Sequence, residues 1–225
     1  EPVQKYLTYV GALGKEKVHN FRVVFDGKMK LAPDKDWLKI KSEQYNFLEP
    51  HARLFFIRGN ISGIPMVGLH SYVDKEAYMK IKLLSLIPVG NASGQEMNQS
   101  ETVTVFNDMC LMAPATLIDD RIQWEIIDEL TVKAIFNNND SKISAELYFN
   151  EKGELINFIS EDRYMTSSGK SYQKVRWSTP IESYKEINGF KLISQGKAIW
   201  HLPDNNYCYI KLKLKKIEYN CRDLK

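Results

Sequence analysis

The sequence predicts a mainly β protein of the α+β class: a single strongly curved antiparallel sheet, or half-barrel, of about ten or eleven strands, with an N-terminal helix and a middle helix on its concave face. Segments of alternating apolar and polar residues recur from residue 17 to residue 219 and are separated by short turns, which is typical of an antiparallel meander. Helical patterns occur only near the start and the middle of the chain. A sheet of this many strands cannot stay flat, so we expect it to curl around the two helices.

The 225 residues are expected to form one domain, because no linker, low-complexity tract or fixed repeat interrupts them. Within residues 1–225 the predicted parts are an N-terminal helix at 1–12, a first strand series at 17–87, a helical insertion at 95–118 and a second strand series at 121–219.

The N-terminal helix is predicted by a single apolar stripe. Its members are Val3, Tyr6, Leu7 and Val10, at spacing i, i+3, i+4, i+7. So short a helix is marginal in isolation, and we therefore expect it to dock on another part of the protein.

The middle helix is predicted from about Asn98 to Met112, after a loop that begins at Pro88. Its expected buried stripe is Val103, Phe106, Met109 and Cys110, with Glu101, Val105, Asp108 and Met112 on another side. The β-branched run at residues 102–105 favours a strand locally, so a strand remains the alternative to this helix.

The clearest hairpin of the chain runs from Ile143 to Tyr164. Residues 143–149 alternate as a half-buried strand, and Gly153 suits the left-handed position of the turn that follows. The second strand, from Leu155 to Tyr164, ends in three adjacent charges at residues 161–163, which suggests the edge of a concavity.

Three further connections are predicted by composition. They are a turn at residues 137–140, a loop at 167–170, and a hairpin turn at Asn188-Gly189 between strands predicted at 172–184 and 190–200.

Charge and hydropathy argue against two interactions: binding of nucleic acid, and a membrane span within these residues. The net charge is +3 with both signs interspersed and no basic stripe beyond residues 211–216, so nucleic acid is not expected. No apolar run reaches the roughly 18 residues of a membrane span. Because the chain starts at Glu1, a membrane tether through an upstream segment stays open.

The cysteines and histidines indicate no cofactor and no metal. Cys110, Cys208 and Cys221 are an odd, sparse set, which favours unpaired thiols over a Cys208–Cys221 disulfide. The four histidines have no ligand spacing.

Several short motifs resemble a bacterial family of unknown function. They are Ile87-Pro88-Val89 with Ala92-Ser93-Gly94, Trp124–Asp128 (WEIID), Tyr148-Phe149-Asn150, Glu161-Asp162-Arg163-Tyr164, and Trp200–Asp204 (WHLPD). The resemblance spans nearly the whole chain and implies an exported or membrane-tethered domain of the cell envelope, with a cytoplasmic location as the alternative. At the level of the fold the chain also resembles the LolA/LolB-type lipoprotein carriers, which implies an apolar concave face that binds acyl chains.

No catalytic motif is present, and the candidate ligand-binding residues are Trp124, Arg163, Trp177, Trp200 and His201. The tryptophans offer apolar area either to a ligand or to a solid core, and Arg163 can grip a carboxylate or phosphate. The leading hypothesis is a module that binds a lipid or another apolar or amphipathic molecule.

Two other classes of function remain open. One is an enzyme of unknown reaction that uses His201 with Asp204, or Glu161, Asp162 and Arg163. The other is a structural or protein-interaction domain with a filled core.

Overall fold

The computed structural model describes residues 1–138, 140–166 and 169–223. The helices are Pro2–Val10 (α1) and Gln95–Met112 (α2), and a 3₁₀ helix spans Pro114–Ile118. The strands before α2 are Asn20–Met29 (β1), Leu38–Leu48 (β2), His51–Ile61 (β3), Ile64–Val73 (β4), Glu76–Leu83 (β5) and Ile87–Ser93 (β6). The strands after it are Ile122–Ile126 (β7), Thr131–Asn138 (β8), Ser141–Phe149 (β9), Leu155–Ser160 (β10), Tyr164–Met165 (β11), Gln173–Lys174 (β12), Trp177–Ser178 (β13), Ile181–Ile187 (β14), Phe190–His201 (β15) and Asn206–Tyr219 (β16).

One antiparallel sheet of 14 strands dominates the described residues, in the order β6-β5-β4-β3-β2-β1-β16-β15-β13-β10-β9-β8-β7, with β14 also paired to β15. Strands β11 and β12 form a separate pair. The predicted fold class is confirmed, but the predicted number of strands was too small.

The sheet curls around α2, which lies across its concave face. This helix contacts β3, β5 and β6 from one half of the sheet and β9, β10 and β15 from the other. Every residue from Ser100 to Met112 is therefore buried. The prediction that only one stripe of α2 is buried was wrong. Because the sheet curls around this helix, residues on all of its sides are shielded from solvent from Ser100 onward.

Aromatic rings fill the space between α2 and the second strand series. Phe106 of α2 stacks on Phe136 of β8, with 5.0 Å between the ring centroids, and also contacts Phe158 of β10. Helix α1 docks beside them, where the Tyr6 hydroxyl donates a hydrogen bond of 2.8 Å to the carbonyl oxygen of Cys110. The expected docking of the short N-terminal helix is thus observed.

Left-handed residues close the two predicted hairpins. Gly153 has φ +85°, while Asn188 and Gly189 have φ +53° and +77°. Two consecutive positive φ values at a two-residue connection match the right-handed twist of the flanking strands. Both turn predictions are confirmed.

The strand boundaries required three corrections. The segment from Pro88 to Ser93 is an edge strand rather than a loop, because a proline is tolerated where one side of a strand has no partner. The strand predicted to reach Tyr164 stops at Ser160, and the one predicted at 172–184 is broken into β12, β13 and β14 around Pro180.

All three cysteines are free thiols. No helix in the described part of the chain is long and apolar enough to cross a membrane. Asn139 of the predicted turn, and Ser167 and Ser168 of the predicted loop, lie outside the described residues.

Candidate functional site

A cavity of about 500 Å³ lies between α2 and the concave face of the sheet. Its walls come from β1 to β6, from β15 and β16, and from the segment after β10. Ligand-binding pockets typically have volumes of about 300–1,000 Å³. The interior is therefore not completely filled, and the space suits a small molecule.

Methionines are numerous in the apolar wall of this cavity. Of the 7 methionines in the sequence, all except Met109 line it: Met29, Met66, Met79, Met97, Met112 and Met165. Methionine is unbranched and polarizable, so its side chain adapts to contents of different shape.

Two residues that line the cavity are substantially exposed. They are Leu31, between β1 and β2, at 46% and Val89 of β6 at 54%. Leu84 and Leu86, in the turn between β5 and β6, are also exposed. Part of the apolar wall of the cavity is thus accessible to solvent.

A buried charged cluster lies in the wall of the cavity, where β3 faces α2. The guanidinium of Arg53 donates from Nε to Asp108 (2.7 Å), from Nη1 to Glu101 (2.9 Å) and from Nη2 to the side chain of Gln44 (3.1 Å). His70 Nδ1 lies 3.5 Å from Glu101. We call these five residues the Arg53 cluster; it ties the helix to the sheet.

The pKa values of the two carboxylates of the Arg53 cluster are shifted in opposite directions. Burial raises the pKa of Asp108 above its ordinary value, although Arg53 opposes this. Burial also acts to raise the pKa of Glu101, but Arg53, His70 and Arg163 together lower it to about 2. Glu101 is therefore the carboxylate that stays ionised most firmly.

Three of the predicted site residues meet in the cavity. Trp177 and Trp200 are paired across β13 and β15, and both line the cavity. The guanidinium carbon of Arg163 lies 4.1 Å from the ring centroid of Trp177 and 5.3 Å from that of Trp200. Their role in binding remains a prediction.

The other two predicted site residues lie elsewhere. Trp124 is half-buried on β7 and packs against Phe106, with 6.4 Å between centroids. Neither Trp124 nor His201 is among the described residues that line the cavity. These two residues are therefore not part of the cavity wall as the structure describes it.

His201 contacts partners other than Asp204. Its Nε2 lies 2.8 Å from Ser178 Oγ and its Nδ1 lies 2.8 Å from Asn206 Oδ1, whereas Asp204 is exposed. A serine, a histidine and an amide in this order resemble a nucleophile, a base and an orienting group. Ser178, however, is 1% exposed and is not among the described residues that line the cavity, so a substrate carbonyl has no room beside it.

The other predicted acid–base group, Glu161, Asp162 and Arg163, does not form a single site either. Glu161 pairs with Arg176, and Asp162 pairs with Lys174 and with Ser144, while Arg163 turns into the cavity. The three charges do not converge on one cleft. The described residues contain no group of three or more His, Cys, Asp or Glu side chains that could hold a metal ion.

Sequence reasoning missed the Arg53 cluster and the methionine wall. Glu101 and Asp108 are seven residues apart, which places them on one side of a helix, and that spacing was a usable signal. Their common partner was not predictable, because Arg53 lies on a strand 48 and 55 residues away in the sequence.

The curved sheet, the helix across its concave face and the cavity between them define a half-barrel of the LolA type. A domain assigned to outer membrane lipoprotein sorting, from Vibrio parahaemolyticus, superposes with TM-score 0.53 at 9% identity, covering 100% of this chain and 93% of its own. A LolA superfamily protein from Nitrosomonas europaea gives TM-score 0.52 at 10% identity, covering 99% and 94%. At these identities the likeness shows the fold alone.

The chain belongs to a family of unknown function (DUF6544), which it matches over residues 1–212. Both resemblances predicted from the sequence, to such a family and to the LolA fold, are confirmed. A comparison with curated proteins found no match.

Proposed function

We propose that this protein binds an apolar or amphipathic molecule, such as a lipid or the acyl chain of a lipoprotein, in the cavity under its concave face. The observation that carries the proposal is the cavity of about 500 Å³ with its methionine-rich wall. Burial of apolar surface is the main driving force for such binding, since it contributes roughly 25 cal/mol per Å².

The proposal includes a carrier role at the bacterial cell envelope. Two proteins of the same fold are a domain assigned to lipoprotein sorting and a LolA superfamily member, and this supports the proposal by analogy. The flexible methionine wall suits a carrier whose ligands have tails of different length.

The first test is native mass spectrometry of the purified protein. We expect an adduct with the mass of a lipid or fatty acid, and saturable binding of the neutral dye N-phenyl-1-naphthylamine. A bare mass together with no dye binding would refute the proposal.

A cavity-filling variant shows where binding occurs. Met79 is half-buried in the cavity wall, so a Met79→Trp substitution is expected to weaken dye binding on the order of tenfold or more by occupying the space. The matched control is Tyr78→Trp, because Tyr78 is exposed on the opposite face of the same strand. Equal binding by both variants would place the ligand outside the cavity.

A further inference from the structure

Arg163 is a buried cation with unused hydrogen-bonding capacity. Its side chain lines the cavity, and the residue is only 9% exposed. The guanidinium stacks on Trp177, and Nη1 makes one long contact of 3.4 Å to the hydroxyl of Tyr209. Its Nε has no hydrogen-bond partner among the described residues.

The carboxylates near Arg163 are occupied by other cations. Lys174 lies 2.9 Å from Asp162, and Arg176 lies 3.4 Å from Glu161. Glu101 is close enough for Arg163 to lower its pKa, but Arg53 is its ion-pair partner at 2.9 Å. No carboxylate of the described residues forms an ion pair with Arg163.

Arg53 provides an internal comparison, because it lines the same cavity. Each of its three nitrogens donates to an oxygen, two of them on carboxylates. A buried charge that lacks such partners is unfavourable, since desolvation is not compensated. Arg53 is thus satisfied by the protein itself, whereas Arg163 has one buried donor without a partner, Nε, and a single long hydrogen bond from Nη1.

Tyr209 adds a second donor beside Arg163. Its hydroxyl oxygen accepts hydrogen bonds from Trp177 Nε1 (3.2 Å) and from Arg163 Nη1 (3.4 Å), so its own hydrogen is available to donate. Tyr209 also lines the cavity. The planar fork of a guanidinium matches a carboxylate or a phosphate, and a phenol hydroxyl beside it strengthens the same preference.

We infer that the ligand carries an anionic head group, a carboxylate or a phosphate, which binds Arg163 and Tyr209 while its apolar tail occupies the methionine-lined cavity. This inference rests on the proposed function and narrows the ligand to anionic amphiphiles. A neutral head group offers Arg163 only an uncharged acceptor and a cationic head group repels it, so amphiphiles of the same tail length with these head groups bind more weakly.

The test compares probes that share a twelve-carbon tail and differ only in the head: dodecanoate, dodecyl phosphate, dodecanol and dodecyltrimethylammonium. Each is titrated against bound N-phenyl-1-naphthylamine. Charge-assisted hydrogen bonds predict that one or both anions bind on the order of ten- to a hundredfold more tightly than dodecanol, and that the cation binds most weakly. The tighter anion distinguishes a fatty acid from a phospholipid-type head.

The Arg163→Gln variant is expected to lose the preference for anions and to keep its affinity for dodecanol. The matched control is Arg176→Gln, which removes an arginine that is 46% exposed and should leave all four affinities unchanged. If the variant does not fold, as judged by circular dichroism, the comparison of the four probes on the unaltered protein decides the question.

The outcomes separate the inference from the proposed function. Equal affinity for dodecanoate, dodecyl phosphate and dodecanol would overturn the anionic head group but leave lipid binding intact. No displacement by any probe, together with no dye binding, would overturn both.

Discussion

At the scale of single residues, Arg53 and Arg163 both line the cavity but differ in how many of their hydrogen-bond donors have partners within the protein. Arg53 joins α2 to β3 through two carboxylates, whereas Arg163 lies over the ring of Trp177, near Trp200, and its Nε has no hydrogen-bond partner among the described residues. Arginine suits both positions because its charge is delocalised over a planar group that can stack and hydrogen-bond together.

Replacement of Arg53 by methionine is expected to lower the free energy of unfolding by about 3–5 kcal/mol, because Glu101 and Asp108 would remain buried without their cation. Urea denaturation near neutral pH measures this loss. The control is Lys17→Met, which removes an ion pair to Glu49 whose partners are 64% and 55% exposed, and we expect no measurable loss from it. Similar small losses in both variants would show that the Arg53 cluster does not stabilise the fold.

Glu101 gives the stability a dependence on pH. Burial opposes its ionisation, but Arg53, His70 and Arg163 lower its pKa from 4.5 to about 2 in the folded protein. A depressed pKa contributes stability above the unfolded value, and this contribution is lost as the pH falls from about 4.5 towards 2. The advantage of the wild type over Glu101→Gln should therefore be largest near neutral pH and should shrink across that window.

Urea denaturation of both proteins at several pH values measures this difference. Both proteins retain Asp108, whose raised pKa gives the opposite dependence, so only the difference between them is diagnostic. An advantage that is constant from neutral to acidic pH would contradict the prediction.

At the scale of elements, α2 acts as the core of the half-barrel rather than as a cover. Phe106 contacts rings from β7, β8 and β10. A Phe106→Ala substitution removes these contacts and is expected to destabilise the protein by about 3–5 kcal/mol. Ile118→Ala, at a position that is 78% exposed, should stay within about 0.5 kcal/mol of the wild type in the same urea titration.

At the scale of the whole molecule, strands at the edge of the sheet and strands at its centre differ in pairing and in burial. Among the described strands, β6 has a single neighbour, and its residues from Ile87 to Val89 are exposed. By contrast, β1 lies between β2 and β16, and alternate residues of β1 are buried. Amide hydrogens of β6 are therefore expected to exchange much faster than those of β1 in hydrogen–deuterium exchange. Equal protection of the two strands would indicate that β6 is covered by a partner in solution.

Sequence patterns between neighbouring residues predicted individual strands and short turns of this fold. Alternation identified long strands such as β9, and the Asn188-Gly189 pair identified its turn, because both signals act between neighbours in the chain. Strand β6 was missed because Pro88 and Gly90 are unfavourable in strands except at an edge, and edge position is set by the tertiary fold.

The candidate site also contains residues that the sequence indicated and residues that only the tertiary fold brings together. Arg163, Trp177 and Trp200 were proposed from residue type, and all three line the cavity, while their role in binding stays a prediction. The Arg53 cluster required the knowledge that β3 faces α2, which only the curled sheet provides.

The pairing of β1 with β16 also determines when the complete sheet can form during synthesis of the chain. The backbone of Asn20 accepts a hydrogen bond of 2.9 Å from Asn220, and the Asn20 side chain accepts one from Cys221, 201 positions further along. During translation, strands β1 to β6 are synthesised long before β16, so the nascent half-sheet exposes the unpaired edge of β1. Contacts of such sequence separation slow folding. The complete sheet can therefore form only after β16 has been synthesised. Until then, the free edge of β1 is available for pairing with other chains.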